Sequence, residues 1–180
     1  LDNTPEFVVI SPNNPKAMIK FAKQCQELKI KYMMDPGMQL PALNPEDLKE
    51  MINEATILIG NDYEIALIKK RIKNFGKESE KRVVIITLGK KGAIILDHGK
   101  KIAIEPCSVE KAVDPTGAGD AWRSGFLAGL DRGFDLKTCG RMGAVAASFA
   151  VEHYGTQEQK YTIKQFEKRY IKNYKNLLNL

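Results

Sequence analysis

Asp114-Pro115-Thr116-Gly117-Ala118-Gly119-Asp120 brings two carboxylates, a hydroxyl and two glycines into one short segment. Glycines let a backbone approach a ligand closely, and this turn runs straight into a helix predicted to reach about Arg132 and stop at Gly133. The first N–H groups of a helix have no internal acceptor, and the helix dipole adds partial positive charge there. The backbone of Gly117, Ala118 and Gly119 could therefore form a hole for an anion. Asp120 falls in the first turn of the same helix. A carboxylate repels a phosphate, so its place beside an anion hole makes chemical sense where it takes the proton of a hydroxyl that attacks a phosphoryl group. The same residues fit a plainer reading, in which the glycines turn the chain and Asp120 caps the helix. The segment alone leaves both open.

Other phosphate-handling patterns do not occur. There is no G-x-x-x-x-G-K-[ST], and Trp122 stands where the last glycine of G-x-G-x-x-G would be. The H-R-D and D-F-G motifs of protein kinases are absent as well. Asn61-Asp-Tyr-Glu64 follows a predicted strand, where Asn61 and Glu64 taken singly suit a helix cap and a solvated first-turn acid. Thr87-Leu88-Gly89-Lys90-Lys91-Gly92 turns the chain after the most apolar strand.

Taken together, these segments carry a resemblance. Asp114 to Phe126 is similar to the C-terminal signature of the ribokinase-like (PfkB) family of small-molecule kinases. Asn61-x-x-Glu64 resembles that family's N-x-x-E motif, and Thr87 to Gly92 its T-L-G-x-x-G nucleotide loop. His153-Tyr-Gly-Thr-Gln-Glu158 resembles the segment after the family's penultimate helix, in the form of adenosine-kinase-like members. Pro115, Arg123 and Asp35-Pro-Gly point the same way. The ordered set spans about residues 7 to 175. It implies an ATP-dependent transferase acting on a primary hydroxyl of a nucleoside such as adenosine, or of a sugar such as ribose or fructose. By the same resemblance Asp120 would be the catalytic base, with Gly117, Ala118 and Gly119 as the anion hole. Asn61 and Glu64 would help hold the magnesium-phosphate end of ATP, Glu64 through water. Thr87, Leu88, Gly89, Lys90, Lys91 and Gly92 would contact the nucleotide, and Asp114 and Thr116 would belong to a monovalent-cation site for K+. Magnesium fits such a thin protein shell, because it keeps several waters and substrate phosphates.

The elements that must position these residues alternate. Strands are predicted at Phe7–Ser11, Tyr32–Met34, Thr56–Gly60 and Arg82–Thr87, the last apolar enough for burial on both faces of a parallel sheet. Helices are predicted at Lys16–Leu28, Pro45–Asn53 and Asp62–Phe75, the third ending at Gly76. Ala93–Asp97 and Lys101–Glu105 follow as antiparallel additions. Asp135 caps a helix to about Val151, and a last helix from Thr162 lines up Ile163, Phe166, Tyr170, Tyr174 and Leu177 on one face. Trp122 and Phe126 are expected in the core, with Gly125 and Gly129 allowing close helix packing. The alternation gives an α/β layered fold in a single domain over residues 1–180, and the resemblance implies that it is a three-layer ribokinase-like arrangement with a mostly parallel sheet flanked by helices.

Composition sets the outer limits. The 180 residues are 43% hydrophobic and 28% charged, which excludes intrinsic disorder. The longest uncharged stretch of apolar character, Met142 to Val151, is far short of the roughly 18 residues of a membrane span. Of the formal +6 charge, +4 lies between Glu158 and Leu180. That basic run is expected to be a solvated face; a nucleic-acid footprint with Tyr161, Tyr170 and Tyr174 is the alternative. Cys25, Cys107 and Cys139 are widely spaced and suit inert buried thiols in the reducing cytoplasm. The expected partner is a small-molecule substrate, with neither nucleic acid nor membrane, and a homodimer is the assembly to test. Two further readings are a non-catalytic nucleotide-binding module and a nucleic-acid-binding domain. Family members are considerably longer, and Leu1 in place of Met agrees with a truncated chain. The family's N-terminal strands and lid would then be missing, exposing an apolar sheet edge.

Overall fold

A computed structural model describes residues 4–178 and 180 of the chain; Leu1 lies outside them. The described residues gather into two compact units, one running to Leu88 and including Leu96–Ile102, the other formed by Gly89–Ile95 and Ala103–Leu180.

In the first unit, β1 (Phe7–Ile10), β2 (Lys31–Met34), β3 (Ile57–Asn61) and β4 (Val83–Thr87) pair in sequence order, all parallel. Parallel neighbours need helical crossovers, and the intervening segments supply them. Asn14 caps α1 (Pro15–Glu27) through the Lys16 N–H, and Asn44 caps α2 (Pro45–Asn53) through the Asp47 N–H, each with proline at the first helical position. Met18, Ala22 and Cys25 of α1 and Leu48, Met51 and Ile52 of α2 are buried with Tyr32, Met34, Leu58 and Val84 of the strands. In β4, Val83 to Ile85 are buried, in keeping with the expected two-sided burial.

The third helix departs from its predicted span. α3 covers Asp62–Arg71 and a separate short α4 covers Phe75–Ser79, continuing through Gly76 instead of ending there. The break is at Ile72, whose extended backbone (φ −107°, ψ 113°) turns its side chain into the core. Just before it, the Arg71 guanidinium donates to the Leu40 and Leu43 carbonyls of the 3-10 segment Gly37–Ala42 and its end. An apolar periodicity records that Ile72 and Phe75 are buried, but not that the chain leaves the helix to bury them.

β5 (Ala93–Asp97) and β6 (Lys100–Ile104) complete a six-stranded sheet in the order β1-β2-β3-β4-β5-β6. His98 and Gly99 join them, both at positive φ, as a two-residue hairpin turn requires.

The second unit is mainly helical: α5 (Ala118–Asp131), α6 (Leu136–Ala150) and α7 (Ile163–Tyr174). Asp135 caps α6 by accepting from the Lys137 and Thr138 N–H groups. The α5–α6 contact is as close as the glycines allow. A Cβ on Gly125 would lie 2.6 Å from the Met142 carbonyl oxygen, and one on Gly143 2.7 Å from that of Trp122. Trp122 and Phe126 are buried and stacked, ring centroids 5.4 Å apart. On α7, Phe166, Tyr170 and Tyr174 pack against Met142, Val145 and Phe149. Ile163 and Leu177, expected on that face, are exposed. The helix ends at Tyr174 and Lys175 turns left-handed (φ 57°), so Leu178 is buried where Leu177 was expected. Lys164, Lys168, Lys172 and Lys175 face solvent. Cys25 and Cys139 are buried as expected, whereas Cys107 is only half-buried.

Candidate active site

The segment before α5 is pinned by the far end of α6. The Val113 and Asp114 N–H groups donate to the Val151 carbonyl oxygen at 2.7 and 3.2 Å, satisfying an acceptor that the end of a helix leaves open. The Asp114 carboxylate closes the turn: Oδ1 accepts the Thr116 N–H at 2.9 Å and Oδ2 the Gly155 N–H at 3.0 Å. The Thr116 hydroxyl, followed by these two N–H groups, holds the Asp114 carboxyl below the usual aspartate range.

Gly117 then stands at φ +80° as the N-cap of α5, and the Thr156 carbonyl oxygen lies 2.9 Å from where a Cβ would be. A left-handed φ and a backbone at contact distance both demand glycine here. The Ala118 N–H turns back to the Pro115 carbonyl oxygen (3.1 Å), and the Ala121 N–H makes the first helical bond to Gly117 (2.9 Å). No side chain caps this helix, in contrast to α1, α2, α3, α6 and α7. The Gly119 and Asp120 N–H groups are therefore left without an intrahelical acceptor. Nothing lies within 4 Å of a Cβ built on Gly119, so the space beside this helix end is open. The three residues expected to form an anion hole therefore differ in what their N–H groups do. Ala118 uses its N–H inside the turn, whereas Gly119 and Asp120 keep N–H groups with no acceptor in the helix.

Asp120 is the third residue of α5, and its side chain is 72% exposed. Its Oδ1 accepts a charged hydrogen bond from Nη2 of Arg123, one turn along, whose side chain is only 12% exposed. The Ser124 hydroxyl donates to the Asp120 carbonyl oxygen at 2.9 Å.

The remaining predicted residues divide between the units. In the first, β3–β4 register sets Asn61 opposite Thr87 at the same end of the parallel strands. Asn61 and Glu64 form a complete capping box on α3: the Glu64 N–H donates to Asn61 Oδ1 (2.8 Å), and the Asn61 N–H donates to Glu64 Oε2 (2.7 Å). The plain capping role is thus filled, and Glu64 Oε1 takes no part in it. Leu88 follows Thr87 at the unit's end. In the second unit, Gly89–Lys91 makes one 3-10 turn with Lys90 and Lys91 exposed. Gly92 (φ +89°) is forced by the Ile104 carbonyl oxygen, 2.1 Å from a built Cβ. Among the described residues no three His, Cys, Asp or Glu side chains come together as a metal-binding group, and no helix is long and apolar enough to cross a membrane.

Val151, Gly155 and Thr156 were not among the predicted site residues, although the structure sets them against Asp114 and Gly117. The His153-Tyr-Gly-Thr motif was the available signal, but its job of fastening a turn some 40 residues away is a matter of tertiary packing.

The mostly parallel sheet with flanking helices agrees with the ribokinase-like α/β fold expected from the sequence. The profile of the pfkB family of carbohydrate kinases matches residues 4–163, and the chain belongs to that family. It is 37% identical over 154 residues to a nucleoside kinase of Methanocaldococcus jannaschii, covering 84% of this chain and 51% of the relative. To a nucleoside kinase of Methanothermobacter thermautotrophicus it is 44% identical over 127 residues, covering 68% and 40%. Among solved structures, the nucleoside kinase of Burkholderia thailandensis in complex with inosine superposes with a TM-score of 0.93 at 27% identity, covering 96% of this chain and 59% of that one. The chain spans about half the length of the relatives it matches.

Proposed function

We propose that the protein carrying this chain is an ATP-dependent kinase that phosphorylates a primary hydroxyl of a nucleoside, with adenosine-like nucleosides first. The observation that carries this reading is the uncapped start of α5, with open space at Gly119 and an exposed carboxylate at Asp120. A base poised beside unsatisfied N–H donors suits a reaction in which a hydroxyl loses its proton while negative charge gathers on phosphoryl oxygens. Asp120 takes the hydroxyl proton as the new O–P bond forms and the bond to the departing ADP breaks. The Gly119 and Asp120 N–H groups, with the dipole of α5, offset the charge on the transferring group.

Asn61, Glu64, Thr87, Leu88, Gly89, Lys90, Lys91 and Gly92 are assigned to the nucleotide. Glu64 Oε1 is the protein oxygen offered to magnesium through water, which fits an ion that needs few protein ligands. When bound, magnesium neutralises phosphate charge. Asp114 and Thr116 are assigned to a monovalent cation such as K+; the Asp114 carboxylate accepts the Thr116 hydroxyl and the Thr116 and Gly155 N–H groups and keeps one further lone pair. We further assign the protein to the cytoplasm, and the chain to a single domain that acts as the ATP-binding portion of the kinase. A sugar acceptor is the second reading, favoured by the family's description as carbohydrate kinases. ADP release measured with adenosine, cytidine, inosine, ribose and fructose tests the proposal. Turnover with a nucleoside supports it, turnover with sugars alone moves the acceptor to the second reading, and ADP release with none of them rejects the assignment.

A further inference from the structure

We propose that Arg123 is a positioning residue for the Asp120 base, holding the carboxylate by Oδ1 so that Oδ2 is presented to the acceptor hydroxyl. This rests on the kinase reading above. The pair is unequal: the carboxylate side chain is 72% exposed, while the guanidinium arm beside it is 12% exposed. An exposed aspartate on a helix turns freely about its side-chain bonds, whereas an arginine arm buried to this degree is fixed by what surrounds it. The bond from Nη2 to Oδ1 therefore transfers the order of the buried arm to the exposed carboxylate. Among the described residues, Oδ2 carries no bond. Because the carboxylate partner faces solvent, the ion pair itself adds little to stability, and the contact matters more for geometry than for folding. Geometry is what a general base needs, because it must sit within hydrogen-bonding reach of the proton it removes. Arginine also suits the task chemically. It keeps its proton throughout, so it cannot displace Asp120 as the base, and it still donates to Oδ1 once Oδ2 has become protonated.

The test uses the protein carrying this chain, with Arg123→Met, Arg123→Lys, Asp120→Asn and the double variant Asp120→Asn/Arg123→Met. Arg123→Met keeps an apolar stem in place of the arm; kcat is expected to fall roughly 100-fold while KM for ATP and for the nucleoside stay within about twofold. Arg123→Lys restores a donor and is expected to recover about tenfold of that loss. In the Asp120→Asn background, Arg123→Met is expected to cost nothing more, since the two residues act as one unit. A lowered melting temperature with unchanged kcat would show a merely structural arginine and overturn the proposal. So would Arg123→Lys as slow as Arg123→Met, or a full additional loss in the double variant. Absence of turnover in the unsubstituted protein removes the kinase reading and this proposal with it. An active protein indifferent to Arg123→Met removes this proposal alone.

Discussion

The glycines at the start of α5 separate what the turn needs from what a ligand would need. Gly117 is held left-handed against the Thr156 backbone, whereas Gly119 has an ordinary helical backbone and empty space where a side chain would go. Gly117→Ala should lower stability by about 1–2 kcal/mol from the left-handed strain alone, more if Thr156 must shift. Gly119→Ala should leave stability unchanged or raise it by up to about 1 kcal/mol, while weakening ATP binding by filling the open space. Urea melts and ATP titrations of both variants check this contrast. Asp114 gives a pH signature. Its folded carboxyl titrates below the ordinary aspartate value, chiefly through the Thr116 hydroxyl, so the charged form is favoured in the folded state. The stability it contributes is complete above the ordinary value of about 3.9 and is lost as pH falls through the lower folded value. The gap in unfolding free energy between the wild type and Asp114→Asn should stay constant from about pH 7 to 5 and narrow below about 4.

At the scale of elements, α5 and α6 are locked at small residues, and this is where a single methyl is felt. A Cβ on Gly125 would meet the Met142 backbone, which cannot swing aside as a side-chain end would. Gly125→Ala should cost about 1–3 kcal/mol in thermal unfolding, against the general benefit of alanine in a helix. The spacing of Gly125 and Gly129 made this contact legible in the sequence, as the run Val83 to Thr87 did for the buried strand and Asp135 for a helix cap. Other features were not legible. Ile72 leaves its helix to reach the core, Lys175 reverses the chain so that Leu178 replaces Leu177, and the Gly155–Thr156 segment fastens the site turn. Each depends on a neighbour distant in sequence, which local periodicity and capping rules do not contain. The glycine turn into α5 was legible, but which of its N–H groups stays without an acceptor in the helix was not, because that depends on the Ala118 bond to Pro115.

At the scale of the whole molecule, the sheet ends at β1, whose pairing among the described residues is with β2 alone. Val9 on that strand is 37% exposed. An apolar edge strand is a template for further pairing. Val9→Lys should reduce concentration-dependent association of this chain in light scattering, and equal association would remove β1 from the account. Half of the +6 charge lies on α7, whose tyrosines Tyr170 and Tyr174 are buried and so unavailable to stack on bases.

The central claim is that Asp120 accepts the proton in phosphoryl transfer. Asp120→Asn keeps an oxygen for Arg123 and nearly the same shape, so it removes the base with little else. In the protein carrying this chain, ADP release with a nucleoside acceptor should fall by at least about 100-fold, while ATP affinity stays within about threefold. Turnover equal to that of the unsubstituted protein would contradict the account.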